Sequence, residues 1–76
     1  MIAIDAVTEV IRRIGRIEAV DADQDIYLAG FASLDALTLL IELETVFEIS
    51  LPDDQFVAAR TPRSLFELVR RLKESR

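Results

Sequence analysis

The sequence predicts an all-α fold: a small four-helix bundle of three main helices and one short helix, with a long loop between helices 1 and 2. Three observations predict it. Apolar residues recur at helical spacing in residues 3–14, in residues 33–48 and again after Thr61. The middle segment is rich in Leu, Ala and Glu, which are strong helix formers. Apolar residues make up 51% of the chain, too many for a disordered one. Its 76 residues predict a single domain, 1–76, with a modest core.

The first helix is expected over residues 3–14. Ile4, Val7, Ile11 and Ile14 define its buried face, and Ile2 and Val10 widen it. Asp5 and Glu9 come early and Arg12, Arg13 and Arg16 late, as the helix dipole favours. Gly15 is expected to fray or end the helix near that point. Residues 17–32 have no sustained period and read as a long loop. Ile26, Leu28 and Phe31 are its expected anchors to the core, with a short turn of helix around Asp25–Leu28. A loop this long in so small a domain points to function.

The second helix is expected over residues 33–48, with Ser33 as N-cap and Asp35 in its first turn. On a helical wheel its apolar residues split in two. Ala36, Leu39, Leu40, Leu43 and Phe47 form a core stripe. Leu34, Leu37 and Ile41 fall on another face, beside Thr38, Glu44 and Thr45. That face is too apolar for a plain solvated surface, so either the long loop covers it or a partner docks there. Pro52 stops the helix. Residues Asp53–Ala59 predict a short third helix capped by Asp53, with Phe56 and Val57 pointing inward. Thr61 caps the last helix and Pro62 takes its first position. Leu65, Leu68, Val69 and Leu72 give its buried face.

Composition bounds the chemistry. The chain has no cysteine and no histidine, so it lacks disulfides, thiolate metal sites and the commonest general base. A carrier or binding module is favoured over a catalyst, and no catalytic residue and no metal ligand is expected. The net charge of −5 argues against nucleic acid as a partner. No apolar run reaches membrane-spanning length, and the N-terminus has no signal-peptide pattern, so the cytoplasm is the expected compartment. Charge is uneven: residues 18–60 carry ten acids and one base, Arg60, whereas residues 61–76 carry five bases and two acids.

Few motifs carry chemistry. Asp21, Asp23 and Asp25 alternate as in a calcium loop, but Ile26 and Ala32 stand where such a loop needs Gly and Glu. A solvated acidic loop is the expectation. Glu42, Glu44 and Glu48 read as a soluble helix surface rather than an acid–base pair. Ser33 has no base in the sequence to activate it and reads as an N-cap. A helix N-terminus is nonetheless a favourable place for a phosphate ester, because its N–H groups and dipole tolerate the added negative charge.

The ordered set of features resembles the acyl and peptidyl carrier proteins over nearly the whole chain. The carrying stretches are Asp25-Ile26-Tyr27-Leu28-Ala29-Gly30-Phe31-Ala32-Ser33-Leu34, then Leu39 to Phe47, then Ile49-Ser50-Leu51-Pro52-Asp53, then Thr61-Pro62-Arg63-Ser64-Leu65. In that family a motif serine holds 4′-phosphopantetheine through a phosphodiester, and the terminal thiol carries cargo as a thioester. The resemblance implies that Ser33 is this serine. It also implies a phosphopantetheinyl transferase and an acyl- or aminoacyl-loading ligase or synthase as partners of a monomer. Leu34, Leu37 and Ile41 would centre the docking face, with Asp35, Glu44 and Asp53 at its rim. Leu40, Leu43, Phe47 and Leu51 would line the interior or an acyl pocket. The family's Asp before the serine is Ala32 here, and two often-acidic positions are Thr38 and Thr45. Phe31-Ala32-Ser33 resembles specialised free-standing carriers, including those loaded by aminoacyl ligases and the D-alanyl carriers. The alternative is an unmodified helical interaction module in which Ser33 only caps.

Overall fold

The computed structural model describes residues 2–75. Among them are four α-helices, α1 (Ile4–Gly15), α2 (Ala36–Phe47), α3 (Asp53–Ala58) and α4 (Pro62–Glu74). A 3₁₀ turn, Ser33–Asp35, leads into α2, and no strand occurs among the described residues. The all-helical bundle expected from the apolar periodicity is therefore the fold found.

The helices pack around one core. Val7 and Ile11 of α1, Leu39 and Leu43 of α2, and Leu65 and Val69 of α4 are fully buried at its centre. Phe47, Ile49, Leu51, Phe56 and Leu68 close it at the sides. Among the described residues no charged or polar one is buried with them, as expected where buried charge costs several kcal/mol.

Both α1 and α2 are closed in the same way, by a left-handed residue that is not a glycine. Arg16 (φ 55°) and Glu48 (φ 56°) adopt the left-handed conformation that closes each helix. The N–H of Ile17 then donates to the Arg12 carbonyl (3.1 Å) and the N–H of Ile49 to the Glu44 carbonyl (3.2 Å). This is the Schellman arrangement, in which the apolar residue after the left-handed one folds back on the helix. Ile17 and Ile49 are those residues, and they set the end even though a left-handed side chain costs ~1–2 kcal/mol. α1 thus ends at Gly15, near where the sequence places its end, with the left-handed conformation on Arg16.

Three expectations are corrected. Ser33 is not the side-chain N-cap of α2: the helix is entered through the 3₁₀ turn, and neither Ala32 nor Asp35 at the two cap positions makes a capping bond. Asp53 is the first residue of α3, with Pro52 at the cap position. Only Phe56 of its expected inward pair is buried, because Val57 is 66% exposed. The last helix begins as expected. Thr61 Oγ1 accepts from the Ser64 N–H (3.1 Å) and Ser64 Oγ from the Thr61 N–H (3.0 Å), a reciprocal capping box with Pro62 first in line.

The long loop is stitched to the corner between α3 and α4. The Ile26 N–H donates to the Arg60 carbonyl (2.8 Å) and the Arg63 N–H to the Ala22 carbonyl (2.9 Å). Side chains repeat the link. Arg60 Nε donates to Asp25 Oδ2 (2.7 Å), Arg63 Nε to Asp23 Oδ1 (2.7 Å), and the Arg60 guanidinium stacks 4.6 Å over the Tyr27 ring. Asp25 Oδ1 also accepts from the Tyr27 and Leu28 N–H groups. Asp25 and Asp23 are therefore paired, Asp23 while remaining largely exposed, and Asp21 is exposed as expected of a solvated loop; no group of residues suited to a metal ion occurs among those described. Ile26 and Phe31 anchor the loop as expected, whereas Leu28 is 85% exposed and anchors nothing.

Candidate functional site

Ser33 opens the 3₁₀ turn at the head of α2, between Ala32 in extended backbone and the exposed Leu34. The Asp35 N–H donates to the Ala32 carbonyl (2.9 Å) and the Ala36 N–H to the Ser33 carbonyl, so the backbone is fixed on both sides of the serine. The Ser33 side chain is exposed and its hydroxyl has no partner among the described residues. No base among the described residues touches it, so none of them is placed to activate the hydroxyl. A phosphodiester at this position fits: it would lie in solvent, beside the first-turn N–H groups that have no intrahelical partner.

The apolar residues of the second wheel face are on the surface. Leu34 is 93% exposed, and Leu37 and Ile41 are also exposed, at the i, i+3 and i+4 spacing that makes neighbours on one helix face. The long loop does not cover them. Between α2 and α3 runs a shallow groove of about 240 Å³, lined by Ala36, Leu37, Leu40, Asp53, Phe56 and Val57. Leu40 is half-buried in its wall, whereas Leu43, Phe47 and Leu51 belong to the closed core.

The expected acidic rim divides. Asp53 lines the groove. Asp35 lies on the other flank of α2, in a polar hollow shared with Arg13, Arg16 and Thr38 of which α1 forms one wall. Glu44 is half-buried, and its Oε2 accepts from the Leu51 N–H (2.8 Å), holding the segment before Pro52 against α2. It braces the α2–α3 connection rather than standing free at an edge. Glu42 pairs with Arg13 across α1 and α2 (2.9 Å).

Sequence reasoning missed Val57 and the groove it shares with Leu37. A helix of six residues gives too little period to tell its two faces apart. It also missed the contact between Gly15 and Phe31. An alanine Cβ at position 15 would fall 2.9 Å from Phe31 Cε2 and closer still to Cδ2. A glycine four residues after an apolar helical position, with an aromatic beside the serine, was the signal available.

Electrostatics near the loop are local. The Arg60 guanidinium holds the Asp25 carboxyl below the usual carboxylate range against partial desolvation, with help from the Tyr27 and Leu28 N–H groups. Arg63 does the same for Asp23. Desolvation pushes the Tyr27 phenol upward.

With this geometry in place, comparison with known proteins adds one match. The family model described as a phosphopantetheine attachment site fits residues 5–69. No curated protein and no solved structure matches the chain.

Proposed function

Because the chain belongs to the phosphopantetheine-attachment family, whose members are non-catalytic carriers of a covalent 4′-phosphopantetheine arm on a serine, we propose that Ser33 holds the arm. One observation carries the assignment: Ser33 presents an exposed, unpartnered hydroxyl at the head of a helix. Two other serines lie within the matched residues. Ser64 spends its hydroxyl in the capping box of α4. Ser50 is exposed but sits in the α2–α3 connection, with no helix beginning at it.

In this reading the chain does no chemistry of its own. Ser33 Oγ would hold the arm through a phosphodiester, its bond to the arm's phosphorus replacing the donor's phosphoanhydride P–O bond and releasing the donor's nucleotide phosphate. The hydroxyl proton leaves to a base on the transferase, since this chain offers none. The arm's thiol then carries an acyl or aminoacyl group as a thioester, placed there by a ligase or synthase. Leu34, Leu37 and Ile41 supply the apolar centre of a transient interface, extended by Val57, with Asp53 at its edge. The carrier acts as a monomeric single domain in the cytoplasm. No helix among the described residues is long and apolar enough to cross a membrane.

The test is intact mass after incubation with a phosphopantetheinyl transferase and coenzyme A. The wild type and Ser50→Ala gain one arm, and Ser33→Ala gains none. An arm on Ser33→Ala, or no arm on the wild type, overturns the assignment; the second outcome returns the chain to an unmodified interaction module.

A further inference from the structure

We propose that Gly15 and Phe31 form a positioning contact for Ser33: the Phe31 ring, seated on α1 where Gly15 leaves room, sets where the Ser33 hydroxyl stands relative to the bundle. The inference rests on the reading of Ser33 as the arm-bearing residue.

The burial pattern is the first support. No residue from Ala32 to Thr38 is buried, so Phe31 is the last buried side chain before the serine and Leu39 the first after it. Ser33 is exposed and Leu34 almost wholly so, and neither contributes packing that would fix the turn. Upstream, the position of Ser33 therefore depends on Phe31, two residues away through an extended Ala32. Two residues span at most ~7 Å, so a shift of the ring is passed on with little slack.

Gly15 is the second. It occupies the last turn of α1, where glycine costs ~1 kcal/mol relative to alanine. Conformation does not explain it, because the left-handed residue is Arg16. The contact does: a Cβ at position 15 would overlap the Phe31 ring. The ring itself is held from other sides. Tyr27 meets it edge-on with centroids 5.8 Å apart, and the Phe31 N–H donates to the Ile26 carbonyl (2.9 Å). Tyr27 in turn lies under Arg60, which is tied to Asp25. The ring cannot move away from an added methyl without disturbing this stack.

The experiment is a double-mutant cycle on arm attachment, using Gly15→Ala, Phe31→Leu and the double variant. The variants are assayed with a transferase and coenzyme A at a temperature where circular dichroism shows wild-type helicity. A misplaced hydroxyl lowers kcat and leaves KM unchanged, because the docking face is intact. Gly15→Ala is expected to lose about tenfold or more in kcat, in line with ångström-scale misplacement. Phe31→Leu loses less, by leaving a gap. In the double variant the added methyl fills part of that gap, so kcat recovers above that of Gly15→Ala. Leu68→Ala in α4, a destabilised control, keeps the wild-type kcat while folded. Wild-type kcat in Gly15→Ala, losses that multiply in the double variant, or an equal loss in Leu68→Ala would each overturn the inference. If Gly15→Ala does not fold, the comparison of Phe31→Leu with the double variant decides: a faster double variant supports the contact, and an equal or slower one overturns it. A wild type that gains no arm at Ser33 refutes the assignment of that serine instead.

Discussion

Leu34 and Leu43 lie nine residues apart on the same helical segment, and truncating each to alanine should have opposite consequences. Full burial of a leucine side chain is worth ~1.5–3 kcal/mol. Leu34 is 93% exposed, so its removal forfeits only ~0.1–0.2 kcal/mol of that. Alanine is also the better helix former. For a domain of this size 1 kcal/mol moves the melting temperature by about 4–8 °C, so Leu34→Ala should shift Tm by less than about 2 °C. Leu43 is fully buried, and Leu43→Ala should cost ~2–5 kcal/mol from lost burial and the cavity left behind. That is a drop of at least about 8 °C, and at the upper end most of the stability of a small domain. Arm attachment by a transferase should rank the two in reverse. If Leu34 is an interface anchor, its truncation costs more than ~1 kcal/mol, or about fivefold in kcat/KM. Folded Leu43→Ala should keep its kcat/KM. Thermal melts and attachment kinetics on the same two variants test both halves. A Tm loss in Leu34→Ala matching that of Leu43→Ala would show that Leu34 belongs to the fold. Unchanged kcat/KM in Leu34→Ala, Leu37→Ala and Ile41→Ala alike would remove the docking face.

Acid should unlatch the long loop. Asp25 and Asp23 have folded-state pKa values below the carboxylate norm of ~3.9, chiefly through Arg60 and Arg63. Their stabilisation is therefore complete above that norm and is lost as pH falls through the lowered folded values. Tm followed downward from pH ~5 should fall more steeply in the wild type than in Asp25→Asn; parallel curves would show the latch to be inert. At the other end of the latch, Thr61→Ala should cost ~1 kcal/mol by opening the capping box of α4. Urea midpoints measure this, and a loss below a few tenths would mean that Pro62 alone sets the helix start.

The parts of the fold that could be read from sequence are those with a long period. Val7, Ile11, Leu39, Leu43, Leu65 and Val69 are the fully buried heart of the core, and each stands at a wheel position that predicts burial. The exposure of Leu34, Leu37 and Ile41 was legible for the same reason: they fall off the core face of α2. Where the period is short or absent, other forces decided. Six residues of α3 could not tell Val57 from Phe56. Leu28 looked like an anchor because it is apolar, yet the Asp25 side chain turns the backbone at Tyr27 and Leu28 and leaves that leucine outside. Gly15 marked the end of α1 correctly, but not for the usual conformational reason. The stop is set one residue later, by the demand of Ile17 for cover, and the glycine serves the ring of Phe31.

Charge shows most clearly why the site had to be seen in three dimensions. The acid-rich middle of the sequence suggests an acidic face around Ser33. In the fold those acids are dispersed among internal duties. Asp23 and Asp25 close the loop onto Arg63 and Arg60, Glu42 bridges to Arg13, and Glu44 holds the Leu51 N–H. Exposed pairs of this kind contribute little individually. Their effect is to spend acidic charge on the scaffold that carries the serine. Beside the exposed leucines, Asp53 is the acid that lines the groove, with Asp54 next to it in the chain. If the proposed interface lies here, it takes its energy from apolar area and keeps charge for its edge, the division expected where charge serves orientation more than affinity. Ala32, Thr38 and Thr45 lie along the same segment, where carriers of this family often place acids, and all three are exposed. The absence of charge there is therefore a property of the exposed surface around Ser33. It favours, for the proposed carrier, partners selected by shape at Leu34, Leu37 and Ile41 over those steered by a field of carboxylates.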